Sequence, residues 1–474
     1  MTSRRILLGA AGIAALPVPS FALSRRTHVI VVGGGGAGLS AAVSAAEAGA
    51  RVTLLEKQHV LGGNTRISGG FYAAVDPKRQ KAAGVTDSID LFESQILENG
   101  GGHTDPILAR ILAEGAGEML VRLESLGMRF KDEIIEIYGS HWTRCHKPVM
   151  PNGEGYIRTL LAQAIRLGVS IETDAKVLSL VKTDGRAAGV RVMTGGRERL
   201  LEADAVILTS GGFAANQGMV SRFAPRLAGL THDNTEGSTG EMLTAAEETF
   251  GAALIDMGEI QCLPGCPPNR TRRVRLHNDV SRFIFVNQDG RRFVREDERR
   301  DVLRDRILAL PGATAYSVID AQSLRTYDIL MQKETVLGVE SGDAWRGETP
   351  EELAAAMGIP PANLRETIDA YNKGVRSRRD AFGKAPRELR HEIAVPPFWA
   401  CFAAMTRHYT MGGLRISARA QVLDRQGLPV PGLYAAGEAS GGIHGINRMG
   451  ANGINDALVF GRIAGLAAAE NGKS

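Results

Sequence analysis

His28-Val29-Ile30-Val31-Val32, followed at once by Gly33-Gly34-Gly35-Gly36-Ala37-Gly38, decides the fold of this 474-residue chain. The unbroken β-branched run predicts a buried strand, the glycines a tight turn, and the alanine-rich stretch to residue 48 a helix. The spacing Gly33-x-Gly35-x-x-Gly38 lets the backbone turn sharply and approach a pyrophosphate, whose charge rests against the helix N-terminus. A second run, Arg51-Val52-Thr53-Leu54-Leu55, ends in Glu56-Lys57. An acid at that distance accepts hydrogen bonds from the hydroxyls of an adenosine ribose. Strand, turn, helix, strand and acid together predict a dinucleotide site in which Gly33, Gly35, Gly36, Ala37, Gly38, Glu56 and Lys57 meet the cofactor.

Working outward, the chain favours FAD over NAD. Gly62-Gly63-Asn64-Thr65 and Ser68-Gly69-Gly70 offer a second glycine-rich turn, so Gly63, Asn64, Thr65, Gly69 and Gly70 are expected at the cofactor. Near the far end, Gly432-Leu433-Tyr434-Ala435-Ala436-Gly437-Glu438 is a strand closing on glycine and an acid, as in the ribityl-binding segment of glutathione-reductase-like flavoproteins. Gly211 and Gly412 end further apolar runs. After Gly450-Ala451-Asn452-Gly453-Ile454, an alanine- and leucine-rich helix begins, and Asn452 and Ile454 place its N-terminus where backbone N–H groups stabilise a reduced flavin anion. The expected fold class is α/β, with a Rossmann FAD domain whose cofactor site closes across the chain.

Composition narrows the partners. The formal charge is +4, of which Arg4 and Arg5 contribute two, and that balance gives no reason to invoke nucleic acid. Ser3-Arg4-Arg5, the apolar run from residue 6 to 17 and the small residues around Ser20-Phe21-Ala22 resemble a twin-arginine export signal over residues 1–22. The expected location is the periplasm. After this leader no apolar stretch is long enough to span a bilayer. Four cysteines, Cys145, Cys262, Cys266 and Cys401, form neither a disulfide framework nor a haem attachment motif, and no metal site is expected. Any cytochrome must then be a separate chain.

Four motifs carry a family resemblance: Gly62-Gly63-Asn64-Thr65; Ala203-Asp204-Ala205-Val206-Ile207-Leu208-Thr209-Ser210-Gly211-Gly212-Phe213; His408-Tyr409-Thr410-Met411-Gly412-Gly413; and His444-Gly445-Ile446-Asn447-Arg448-Met449-Gly450. In this order they resemble the soluble fumarate reductases of the flavocytochrome c type, from about residue 27 to the C-terminus. The resemblance implies a glutathione-reductase-like Rossmann FAD domain assembled from residues 27–257 and 410–474, with an α+β capping domain inserted over 258–409. It implies non-covalent FAD, because Asn64 stands where membrane-bound relatives carry the histidine that attaches the flavin. It also implies hydride transfer between flavin N5 and the carbon–carbon double bond of an α,β-unsaturated carboxylate, with a separate cytochrome c or quinone-linked partner. It implies Arg300 as the proton donor to substrate, and His408 and Arg448 as the residues that hold its carboxylate. A guanidinium suits that role because it grips a carboxylate bidentately. His444 is expected to brace the loop. The same parts serve a dehydrogenase that desaturates a carboxylate or ketosteroid-like substrate, and the glycine-rich segments alone would also serve a flavin-binding electron carrier.

The far side of the pocket departs from the family. A gap-free alignment puts Leu263 where fumarate reductases have a histidine, and Arg275-Leu276 where they have a Thr-Glu pair. Leu276 and Asp279 also occupy the places of the family's relay Glu and Arg, which breaks the family proton route. The expectation taken here is that Leu263 and Leu276 face the pocket and take an apolar or aryl tail, so that fumarate is a poor substrate. Four arginines between 270 and 275 would repel one another if desolvated, which favours a solvated loop. The alternative turns Arg275 inward, helped by Arg272 or Arg273, and implies a distal anionic group on a molecule larger than fumarate.

Overall fold

The computed structural model describes residues 26–270 and 272–471. The expected leader, with its arginine pair, lies outside the described residues. The opening strand is His28–Val32, buried throughout, and it lies inside a six-stranded sheet. Arg51–Leu55 flanks it on one side and Ala205–Leu208 on the other, both parallel. Ser170–Glu172 continues the sheet beyond the first, Pro429–Ala435 beyond the second, and Gln421–Leu423 closes one edge antiparallel. Parallel strands buried on both faces need apolar residues at every position. That requirement makes the runs at 28–32 and 205–208 legible in the sequence.

Both ends of the chain build this layer, and small residues allow it. Helix Gly36–Glu47 packs against the last helix, Asn452–Glu470. A Cβ at Gly461 would stand 2.4 Å from the Ala37 carbonyl oxygen, and one at Gly465 would stand 2.3 Å from that of Ala41. Ser40 Oγ donates to the Leu458 carbonyl at 2.7 Å. A larger residue at either glycine would force the helices apart.

The segment expected as the cap holds its own antiparallel sheet, in the order Ile284–Val286, Tyr316–Asp320, Phe398–Phe402, Ala344–Gly347. Helices Pro350–Met357 and Pro361–Ser377 cover it, and Val318, Leu353, Leu364, Ile368 and Tyr371 form a second core distinct from that of the large sheet. Ile260–Gly265 and Ala404–Thr410 pair antiparallel where the chain enters and leaves this segment, with a register shift between Gln261 and Cys262. Bulges of this kind re-aim side chains, and here the extra residue is His408, which falls between the partners of Gln261 and Cys262. Among the described residues no helix is long and apolar enough to cross a membrane, no cluster of ligands could hold a metal ion, and the four cysteines are free.

A buried ion cluster ties the loop before Arg300 to the cap. Arg292 pairs with Glu296 at 2.8 Å and Asp380 at 2.5 Å, and Lys384 pairs with Glu296 at 3.1 Å. Burial opposes ionisation of Glu296, but Arg292 and Lys384 outweigh it and hold the carboxyl below its ordinary range. Glu296→Gln leaves the buried Lys384 ammonium without a carboxylate partner, among neutral oxygens alone: the introduced amide, the Phe283 carbonyl at 3.4 Å and the Tyr371 hydroxyl at 3.5 Å. The expected loss is about 3 kcal/mol, read from chemical denaturation of the holoprotein at neutral pH. Because the folded pKa of Glu296 is depressed, its contribution is complete above the unfolded carboxylate pKa and disappears as pH falls through the folded one. The deficit of the variant should narrow in acid; an equal deficit at all pH values would contradict this account.

Candidate active site

One continuous cavity runs from the first glycine turn to the crossing strands. Gly33, Gly35, Gly36, Ala37, Glu56, Lys57, Gly63, Asn64, Thr65, Gly69, Gly70, Gly211, Glu438 and Ile454 border it. Gly33 has φ of +106°, and a Cβ there would lie 2.5 Å from the Thr209 carbonyl oxygen. Positions 35, 63 and 211 open onto space instead: a Cβ at Gly211 meets nothing within 4 Å, and at Gly35 and Gly63 the nearest atom is 3.9 Å away. Side chains there would fill the cavity, so the glycines keep a groove clear for a large ligand. Glu56 is buried, with one oxygen accepting from Gly34 N at 2.7 Å and the other from Gln58 N at 2.8 Å. Its remaining lone pairs suit ribose hydroxyls. The cradle fits FAD.

Three expected cofactor residues lie off the cavity. A Cβ at Gly38 would meet the Gly33 carbonyl oxygen at 1.9 Å, so this glycine serves helix–turn packing. One at Gly412 would meet the Asp256 carbonyl oxygen at 2.4 Å, and Asn452 is wholly buried, accepting from Asn455 at 3.4 Å. Lys57 borders the cavity but is engaged, donating to Thr239 at 2.6 Å and to Glu241 at 2.9 Å. Asn64 donates to Asn234 and Ser238 and accepts from Thr235 N, and Asn64 and Thr410 both donate to Glu438. Burial pushes the Glu438 carboxyl up to about 7.

At the other end two arginines converge on one oxygen. Arg300, at the start of helix Arg300–Leu308, donates from Nη1 to Gln261 Oε1 at 2.8 Å, and Arg448 donates from Nη2 to the same atom at 2.8 Å. Gln261 Nε2 donates back to the Arg448 carbonyl at 2.6 Å. Arg300 also donates twice to the Tyr138 carbonyl, at 3.1 and 2.7 Å, and lies over the Tyr138 ring. Gly139 makes this possible: it has φ of +72°, and a Cβ there would clash with Arg300 at 2.6 Å. Among the described residues neither arginine is ion-paired to a carboxylate. Burial and then Arg448 lower the Arg300 pKa to about 9. The neighbouring Arg299 turns away to pair with Asp301 at 2.7 Å.

His408 completes this pole. Its Nδ1 lies 3.0 Å from both oxygens of Asp233, which also pairs with Arg273. Burial, opposed by Asp233, lowers the His408 pKa to about 4. In the free site the imidazole is therefore neutral at ordinary pH, with Nδ1–H donating to Asp233, while Nε2 has no partner among the described residues. His444 lies off the cavity, with Nε2 3.1 Å from Asp456, to which Tyr409 also donates at 2.8 Å, and so braces the loop.

The distal wall differs from the expectation. Leu263 borders the cavity, but Leu276 is buried in the core, with its carbonyl accepting from Ser317. Arg273, Arg275 and His277 border the cavity, while Val274 and Leu276 between them face the core. Alternation with period two turns every second residue inward, and Leu276 falls on the wrong parity. Repulsion among the arginines is relieved by counter-charges: Arg270 lies 3.9 Å from Asp343, Arg272 2.6 Å from Glu334, and Arg273 pairs with Asp233. Asp279 does not reach Arg300; it pairs with Arg282 and accepts from Ser281.

A family model described as an FAD binding domain matches residues 28–454. A probable fumarate reductase of Shewanella frigidimarina is 35% identical over 461 residues, 94% of this chain and 76% of that protein. A urocanate reductase of Eggerthella lenta is 34% identical over 473 residues, 96% of this chain and 76% of that one. The open conformation of a flavocytochrome c3 fumarate reductase matches with a TM-score of 0.75 at 34% identity, covering 95% of this chain and 79% of that chain. The chain belongs to the fumarate reductase flavoprotein family. FAD is its cofactor. Within this flavoprotein, Gln261, Asp233 and Tyr138 went unremarked in the sequence. An acid and an amide in ordinary contexts carry no local signal, and only the pairing of Ile260–Gly265 with the bulged strand and the 231–238 loop bring them to the arginines and histidine. The alternation Arg273-Val274-Arg275-Leu276-His277, by contrast, was readable.

The His408–Asp233 pair predicts proton uptake. A carboxylate placed against His408 Nε2 favours the imidazolium and raises its pKa in the complex. Affinity for the ionised carboxylate, corrected for protonation of the ligand itself, should then be highest below about pH 4, where His408 is already charged in the free protein, and should fall as pH rises through the pKa of the complex. Calorimetric titration of the oxidised flavoprotein with succinate, in buffers of different ionisation enthalpy, should show uptake that His408→Gln abolishes. Affinity independent of pH, with no uptake, would contradict it.

Proposed function

We propose that this flavoprotein reduces the carbon–carbon double bond of an α,β-unsaturated carboxylate, with Arg300 as proton donor and His408 and Arg448 as the carboxylate clamp. One observation carries the reading: two buried arginines share Gln261 Oε1 beside a His–Asp pair, in the cavity that also holds the FAD cradle. Such a site is short of negative charge and suits an anionic substrate. Relatives named for fumarate and urocanate reduction support this reaction class. Bound FAD supplies the hydride that adds to the β-carbon.

Arg448 and the protonated His408 then polarise the carboxylate, so that negative charge left at the α-carbon spreads into it. Arg300 delivers the proton there, and its lowered pKa makes it a better acid than an exposed guanidinium. Gln261 keeps both guanidiniums in place without adding a charge that would hold the Arg300 proton more tightly. The two electrons enter from a separate cytochrome c or quinone-linked donor. The Ser3-Arg4-Arg5 leader supports export by the twin-arginine route to the periplasm, and the fully bonded Asn64 supports FAD held without a covalent link.

Arg300→Ala should still bind FAD that acid precipitation releases, while turnover with any active enoate falls at least about a hundred-fold. Arg448→Ala should weaken substrate binding as well as the rate. Ordinary turnover in Arg300→Ala would overturn the proton-donor role.

A further inference from the structure

Of the four arginines between 270 and 275, Arg275 alone has no ion pair among the described residues, and its one hydrogen bond runs from Nη2 to Asn152 Oδ1 at 3.4 Å. Its guanidinium borders the cavity and faces Gly69, where a Cβ would stand 3.8 Å from Nη1. Two further polar atoms belong to residues of the same wall and are buried without a partner: the Tyr138 hydroxyl and His277 Nδ1, on rings whose centroids lie 5.8 Å apart. Burial, then Arg273 and Arg275, keep His277 uncharged. A partly buried cation with spare N–H groups, close to a buried hydroxyl and a buried imidazole nitrogen without partners, is costly unless an anion reaches it.

Only the Arg275 guanidinium lies away from the clamp; Tyr138, beneath Arg300, and His277, which feels both Arg275 and Arg300, bridge the two. His408 contacts Asp233, Asp233 pairs with Arg273, and Arg275 lies beyond, with Arg273, Asp233, Asp328 and Glu334 as its main charged neighbours. Arg300, in contrast, responds first among charges to Arg448. Leu263 and Phe71 contribute apolar surface to the same cavity. A molecule whose two carboxylates sit on adjacent alkene carbons offers no spacer to place against that surface.

We infer that Arg275, assisted by Tyr138 and His277, forms a distal anion subsite, so that the substrate is an enoate carrying a second carboxylate at the end of an apolar or aryl spacer. The inference rests on the enoate-reductase reading above and specifies the substrate's other end. A guanidinium with free N–H groups grips a carboxylate bidentately, and the apolar wall accommodates the spacer.

The test compares para-carboxycinnamate with its distal methyl ester, alongside fumarate and acrylate, using the holoprotein and reduced viologen as electron donor. Wild type should prefer the diacid to its ester by about tenfold or more in kcat/KM, and should prefer it to fumarate. In Arg275→Gln the diacid-to-ester ratio should collapse toward one, and Arg275→Lys should restore part of it. Flavin content reports whether each variant is folded. Equal use of diacid and ester by wild type, or a ratio that survives Arg275→Gln, overturns the subsite alone. Failure of every enoate, acrylate included, overturns the enoate reading and the subsite with it.

Discussion

The site depends on one amide oxygen. Gln261 Oε1 accepts from Arg300 and Arg448 at once, and so fixes two like charges side by side in a buried place. Two unit charges 4 Å apart interact by about 4 kcal/mol even at an effective dielectric of 20. The protein offsets that repulsion with carbonyl and amide dipoles, with the faces of the Tyr138 and Tyr409 rings, and with the more distant carboxylates of Glu438, Asp456 and Asp233, since no carboxylate pairs directly with either arginine among the described residues. An anion entering the site relieves a repulsion that the fold maintains. Much of the affinity for a carboxylate is therefore built in before substrate arrives.

Holding that geometry falls to the surrounding architecture. Arg448 belongs to the loop before the last helix, whose glycines lock it against the first helix. Arg300 opens a helix anchored by the buried Arg292–Glu296–Lys384 cluster. Gln261 lies on one of the paired strands, beside the register shift at which the other strand carries His408 as its extra residue. A displacement of either body relative to the other would break the shared acceptor.

The fold was largely legible because its signals are local. The runs at 28–32, 51–55 and 205–208 are apolar at nearly every position since both faces of the sheet are covered, and the glycines at 33, 35, 63 and 211 occupy places where a Cβ has no room or would block the cavity. Arg300, His408 and Arg448 could be named from motif order. The distal wall could not be read from a gap-free alignment: residues 266–270 and 272–283 lie outside the regular strands, and what decides them is parity along Arg273–His277, which sends Leu276 to the core and Arg275 to the cavity. Counter-charges distant in sequence, Asp233, Glu334 and Asp343, reversed the argument from repulsion. Gly38 and Gly412 show the converse, since glycine there serves close backbone packing.

The central claim is that a reduced flavin and this arginine pair act together on an enoate. Anaerobic rapid mixing of the reduced holoprotein with acrylate, fumarate, urocanate and aryl-substituted acrylates tests it most directly, because no electron donor or partner protein enters the measurement. The account predicts that at least one member reoxidises the flavin rapidly and in stoichiometric yield of the saturated acid. Silence across the panel, with prompt reoxidation by a one-electron acceptor, would instead mark the protein as an electron carrier and contradict the account.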